Sequence, residues 1–66
     1  MPFVRIEMLS GRTDEAKRAL VREVTDAVAR NTGSDPAHIQ VLLTEHGADS
    51  WSLGGAMLSE VLKDPH

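Results

Sequence analysis

Pro2 stands directly behind the first methionine, ahead of the apolar run that begins at Phe3. An initiator methionine is usually removed when the next residue is small, and its loss leaves Pro2 as a free secondary amine. Such an amine becomes a general base when its pKa falls toward neutrality, which an apolar pocket and a nearby cation both promote. Arg12 is a candidate for that cation, and its planar guanidinium also grips carboxylates through two parallel hydrogen bonds. Trp51, the only tryptophan in the chain, offers a large dry wall of the kind that strengthens electrostatics in a site. Proline, arginine and aromatic together suit proton abstraction beside the carbonyl of a carboxylated substrate.

Each residue also has a plainer reading. Proline is common as the first residue of a strand, where its missing N–H costs no ladder bond. A lone arginine is ordinarily a solvated surface group, and a lone tryptophan is as much at home in an interface as in a pocket. The chemistry also has a condition: with Met1 attached, the Pro2 nitrogen is an amide without basicity.

The elements that must position these residues are short and few. From Phe3 to Leu9 the pattern alternates, with Val4, Ile6 and Met8 on one face and Phe3, Arg5, Glu7 and Leu9 on the other, as in a strand. Thr13 is a good N-cap, and Asp14 and Glu15 place negative charge in the first turn of a helix. Ala16, Leu20, Val24 and Ala27/Val28 form its apolar stripe, with Asp14/Arg18, Arg22/Asp26 and Asp26/Arg30 paired four apart on the outside. Asn31-Thr32-Gly33 stops the helix, and Ser34-Asp35-Pro36 turns the chain out of it.

A second strand is predicted over residues 38–45, with Ile39, Val41 and Leu43 on one face. Residues 51–58 hold apolar runs around Gly54-Gly55, a hairpin signal, and residues 60–66 read as a loose tail or a short helix. The fold class is therefore α+β: a single β-α-β unit with parallel strands plus a C-terminal β-hairpin, one domain over residues 1–66. A helix covers one face of such a sheet, whereas parallel sheets are normally covered on both. Phe3, Leu9 and Leu42 on the open face call for a partner, so the chain is expected to assemble as an oligomer.

Composition narrows the function classes. The formal net charge of −3 argues against a reader of nucleic-acid phosphates, because the only close basic pair is Lys17-Arg18. No apolar run approaches the roughly 18 residues of a membrane span, so a cytoplasmic setting without membrane contact is expected. A 66-residue chain without cysteine cannot rely on disulfides for stability, which again points to assembly with itself. His38 and His46, at opposite ends of one strand with no third ligand in register, do not make a metal site. Gly54-Gly55 lacks the companions of a phosphate loop, so no cofactor is expected.

Pro2 behind Met1, the segment Gly11-Arg12-Thr13-Asp14-Glu15, the strand Val41-Leu42-Leu43-Thr44-Glu45 and the closing Trp51-Ser52-Leu53-Gly54-Gly55 resemble the 4-oxalocrotonate tautomerase family of the tautomerase superfamily. The resemblance runs in register over residues 2–59. It implies a β-α-β protomer with a C-terminal hairpin, commonly a hexamer built as a trimer of dimers, and an N-terminal proline that moves protons between carbon and an enol oxygen. By this resemblance Pro2 is the general base, Arg12 binds a substrate carboxylate and Trp51 matches the aromatic pocket wall.

The fourth key position departs. Gln40 stands where the family carries a second arginine, and on its own it reads as an exposed strand residue. Its amide donates a hydrogen bond to a carbonyl or enolate oxygen but supplies no charge, and a neutral donor gives roughly half the strength of a charged one. That disfavours a dicarboxylate such as 2-hydroxymuconate and favours a small monocarboxylate keto/enol acid as partner.

Two alternatives stand beside this reading. Gly33-Ser34-Asp35-Pro36 with Val41-Leu42-Leu43 resembles one subunit type of the trans-3-chloroacrylic acid dehalogenases, and Gly11 to Glu15 the other. Leu9 and Leu53 stand where those enzymes need an arginine and a water-activating glutamate, which ranks a hydratase or dehalogenase second. The other alternative is a non-catalytic small-molecule-binding subunit, or a chain that pairs in a hetero-oligomer with a different chain supplying the missing arginine.

Overall fold

The structure is a computed structural model in which residues 1–62 are described. Strand β1 (Phe3–Leu9) leads to helix α1 (Asp14–Thr32), and a 3-10 turn over Pro36–His38 precedes strand β2 (Gln40–His46). A second 3-10 turn (Ala48–Ser50), a hairpin of β3 (Ser52–Leu53) and β4 (Ala56–Met57), and the short helix α2 (Leu58–Val61) follow. The expected α+β class, with parallel β1 and β2 and an antiparallel hairpin, is observed.

Helix α1 begins and ends where its caps dictate. The Thr13 hydroxyl accepts from the Ala16 N–H at 3.1 Å, and Asp14 and Glu15 occupy the positive end of the dipole. At the other end Gly33 takes the left-handed conformation (φ 74°), and its N–H donates to the Ala29 carbonyl at 3.0 Å. A side chain there would strain the backbone, so glycine is the natural terminator.

Strand β2 starts two residues later than the alternation predicts. The Asp35 carboxylate accepts from the Ala37 N–H at 3.0 Å, Pro36 sits in the first position of the turn, and His38 is consumed by it. The paired strand therefore opens at Gln40. Its register with β1 runs from Phe3 opposite Gln40 to Leu9 opposite His46.

The helix covers the face carrying Val4, Ile6, Met8, Val41 and Leu43, all half-buried. Its own stripe differs from the expected one at the N-terminal end. Ala16 is exposed and Lys17 takes the sheet-facing place, because its ammonium reaches the Glu45 carboxylate at 2.9 Å. Asp14 accordingly leans on Lys17 (3.8 Å) rather than on Arg18, while the Asp26–Arg30 pair forms at 2.9 Å. The Arg22–Asp26 pair is absent among the described ion pairs, since Asp26 is committed to Arg30.

The opposite face of the sheet is open: Phe3 is 57% and Leu42 44% exposed. Among the described residues no side chain is fully buried. The Cα radius of gyration is 15.4 Å, against about 11 Å for a compact domain of this length. In the C-terminal arm the hairpin and α2 make their main contacts with the 48–50 turn and with each other. Leu53 and Leu62 on that arm are 70% and 64% exposed. Of the tail expected over residues 60–66, the first part belongs to α2, and residues 63–66 lie outside the described residues.

Candidate active site

Pro2 and Gln40 meet at the start of the sheet. The Gln40 N–H donates to the Pro2 carbonyl at 3.0 Å, which fixes the residue before β1 against the first residue of β2. The Gln40 side chain is exposed, and its Nε2 donates to the Met1 sulfur at 2.9 Å. Backbone pairing therefore places a neutral amide donor beside the proline.

Arg12 and Trp51 lie at the other end. Arg12 lies in the loop between β1 and α1, exposed, and its Nη1 donates to the Leu9 carbonyl at 3.2 Å. The Ser10 N–H donates to the His46 carbonyl at 2.8 Å, which carries the strand pairing one step past β1. Trp51 follows the 48–50 turn and is half-buried. Its carbonyl accepts from the Leu58 N–H at 2.8 Å, closing the hairpin behind it. Between the two pairs lie the seven residues of β1, a separation of about 20 Å. One chain thus brings Pro2 to Gln40 and sets Arg12 and Trp51 at the far end, and it does not bring the two pairs together.

Trp51 lines a cleft of about 310 Å³ with Glu7, His46, Ser50 and Ser52. Its ring meets the His46 imidazole edge to face, with centroids 5.9 Å apart and planes at 84°. His46 Nε2 in turn donates to Glu7 Oε1 at 2.5 Å, and Arg5 Nε lies 3.9 Å from the other Glu7 oxygen. Glu7 does not stand out in the sequence, and His46 does so only as a metal ligand without companions. The alternation puts Glu7 on the open face, but only the register, with Leu9 opposite His46, shows that the histidine comes diagonally across from it.

A larger groove of about 380 Å³ runs between α1 and β2, lined by Asp14, Lys17, Arg18, Val21, Leu43 and Glu45. It holds none of the four residues singled out by their chemistry. The hydrogen bond from Lys17 to Glu45, reinforced by its charge and by Asp14, holds the Lys17 ammonium above the ordinary lysine value. This is an ion pair that ties helix to strand.

A family model described as tautomerase enzyme matches residues 2–61. The chain belongs to the tautomerase family. Tautomerases are isomerases that relocate a proton within a molecule. The chain is 44% identical over 61 residues to the 2-hydroxymuconate tautomerase of Bacillus subtilis, covering 92% of this chain and 98% of that one. Its backbone is similar to that of YwhB, a homologue of 4-oxalocrotonate tautomerase, with a TM-score of 0.85 at 44% identity over 89% of this chain and 97% of that chain. It is similar as well to a heterohexameric 4-oxalocrotonate tautomerase from Chloroflexus aurantiacus, with a TM-score of 0.87 at 31% identity, covering 92% and 98% of the two chains. The matched span of this tautomerase-family chain begins at Pro2 and contains Arg12, Gln40 and Trp51.

Proposed function

We propose that this chain is a cofactor-independent keto–enol tautomerase of a small carboxylated substrate, working in the cytoplasm with Pro2 as its general base. The observation that carries the reading is the position of Pro2: first in the family-matched span and fixed by Gln40 at the open head of the sheet. Once Met1 is removed, the neutral amine of Pro2 takes the enol hydroxyl proton and leaves an enolate. As the enolate oxygen closes the carbonyl, the C=C electron pair takes a proton back from the prolinium at carbon. No electron or proton is gained or lost overall, and the base returns to its neutral form.

Arg12 anchors the substrate carboxylate and Trp51 excludes water from the reacting atoms. Gln40 steadies the carbonyl oxygen through its amide; losing Met1 also frees that amide from the methionine sulfur it now meets. Because Arg12 and Trp51 sit at the opposite end of the sheet from Pro2, they serve the Pro2 of another copy. The open sheet face with Phe3 and Leu42 supports the same conclusion, a homo-oligomer with the hexamer as its expected form.

The neutral Gln40 favours a second reading, in which the chain works in a hetero-oligomer whose other chain brings an arginine to the shared pocket. The similar Chloroflexus aurantiacus protein is itself a heterohexamer. The test is kinetic: chain lacking Met1, verified by intact mass, is compared with Pro2→Ala on phenylenolpyruvate and on 2-hydroxymuconate. The proposal predicts loss of ketonisation in the variant and a preference of the wild type for the monocarboxylate. Equal rates for the two proteins would overturn it. Native mass spectrometry of the purified chain separates the readings, since an active homo-oligomer excludes the need for a second chain.

A further inference from the structure

We infer that Glu7 and His46 are positioning residues that set the ring of Trp51 as the wall of the substrate pocket. This rests on the tautomerase reading for its effect on turnover, but the geometry stands by itself. Trp51 enters the pocket from a poor support: it follows a three-residue turn and heads a hairpin of two-residue strands. Such an element has little packing of its own with which to hold an indole. What holds the ring is the sheet. His46 is the last residue of β2, its backbone locked to Ser10 by a 2.8 Å hydrogen bond, and its imidazole presents an edge-to-face contact to Trp51.

An imidazole turns about its own side-chain bonds unless something fixes it, and Glu7 does so. The carboxylate accepts from His46 Nε2 at 2.5 Å, which selects the tautomer carrying its proton on that nitrogen. Arg5, two residues along the same face, places its Nε 3.9 Å from the second carboxylate oxygen. Among the described residues, the ion pairs at the imidazole involve Glu7 and, behind it, Arg5, both from β1. The contacts from Glu7 through His46 to Trp51 link the sheet to the arm.

Geometry also limits the role. His46 is engaged on both sides, by Glu7 and by Trp51, and with Glu7, Ser50 and Ser52 it lines the same cleft as the indole. The role assigned to it is to set where Trp51 stands; a direct part in proton transfer would instead lower kcat. Loss of the contact should raise KM by about three- to tenfold, the measure of an aromatic pair, and leave kcat within about twofold of the wild type.

The chain makes the test unusually direct, because it has one tryptophan and no tyrosine, so the near-ultraviolet circular dichroism and fluorescence report Trp51. The variants are Glu7→Ala, His46→Gln, which keeps a donor for Glu7 but loses the ring, and Glu7→Gln, which keeps an acceptor for His46. Spectra are recorded on the assembled protein without substrate, and kinetics with phenylenolpyruvate. Glu7→Ala and His46→Gln should lose the Trp51 dichroism and show the KM increase, and Glu7→Gln should recover both relative to Glu7→Ala. An unchanged Trp51 spectrum in His46→Gln, or a fall in kcat at constant KM, would overturn the inference. Should Glu7→Ala fail to assemble, His46→Gln against the wild type decides alone. Pro2→Ala with undiminished activity would remove the tautomerase reading while leaving the spectral result to stand or fall by itself.

Discussion

At the head of the sheet the strands are joined by backbone, with one side-chain hydrogen bond among the described residues, from Gln40 to Met1. At its foot Glu7, His46 and Trp51 touch in succession, Arg12 leans on the Leu9 carbonyl, and Lys17 clamps the helix to Glu45. The head therefore offers uncommitted groups, and the foot a wall assembled in advance. A base needs freedom to take and return a proton, whereas walls and anchors work best when held before the substrate arrives. In the proposed function, the head of one copy against the foot of another gives a site both qualities.

The largest effect should come from the head. Pro2→Ala replaces the secondary amine of the proposed general base with a primary one, and kcat/KM on phenylenolpyruvate should fall by at least about 100-fold. A foot residue should act differently: Arg12→Ala takes away a charged anchor and should raise KM by about 10- to 100-fold, with a smaller change in kcat. Steady-state kinetics of both variants, with circular dichroism to verify folding, separate the two behaviours. If Arg12→Ala lowered kcat as Pro2→Ala does, with KM unchanged, the division between free base and preset anchor would be wrong.

What the sequence made legible follows how local each feature is. The alternation of Phe3–Leu9, the Thr13 cap and the Gly33 stop depend on neighbours a few residues away, and each appears where the pattern puts it. The start of β2 was hidden because the Asp35 cap and Pro36 claim residues that the alternation assigns to the strand. Lys17 displaces Ala16 from the helix stripe for a reason 28 residues further along, its pairing with Glu45. The Glu7–His46 contact needs the strand register, which alternation alone does not specify. Pro2, Arg12, Gln40 and Trp51 were legible as types, while their division between two ends of a sheet depends on β1 running its full length between them.

Gln40 offers a gain rather than a loss. In Gln40→Arg a charged donor joins the head, and the ratio of kcat/KM for 2-hydroxymuconate to that for phenylenolpyruvate should rise about fivefold. The comparison of the two substrates in one variant cancels changes in folding or active fraction. A fall in the ratio would mean that Gln40 does not face the substrate oxygen.

The smallest effect lies in the clamp at the foot. Glu45 raises the Lys17 pKa in the folded chain above its ordinary value of 10.5. A raised pKa means that the folded state binds the proton more tightly. Its contribution to stability is therefore complete below the unfolded value and is lost as pH climbs through the folded one. Both groups are partly exposed, at 27% and 29%, so screening keeps the contribution small. Thermal unfolding of the wild type and Lys17→Met should differ by a constant amount between about pH 6, where Glu45 is ionised, and about pH 10, and converge above it. A gap that persisted at higher pH would show that Lys17 serves the foot through the packing of its stem rather than through its charge.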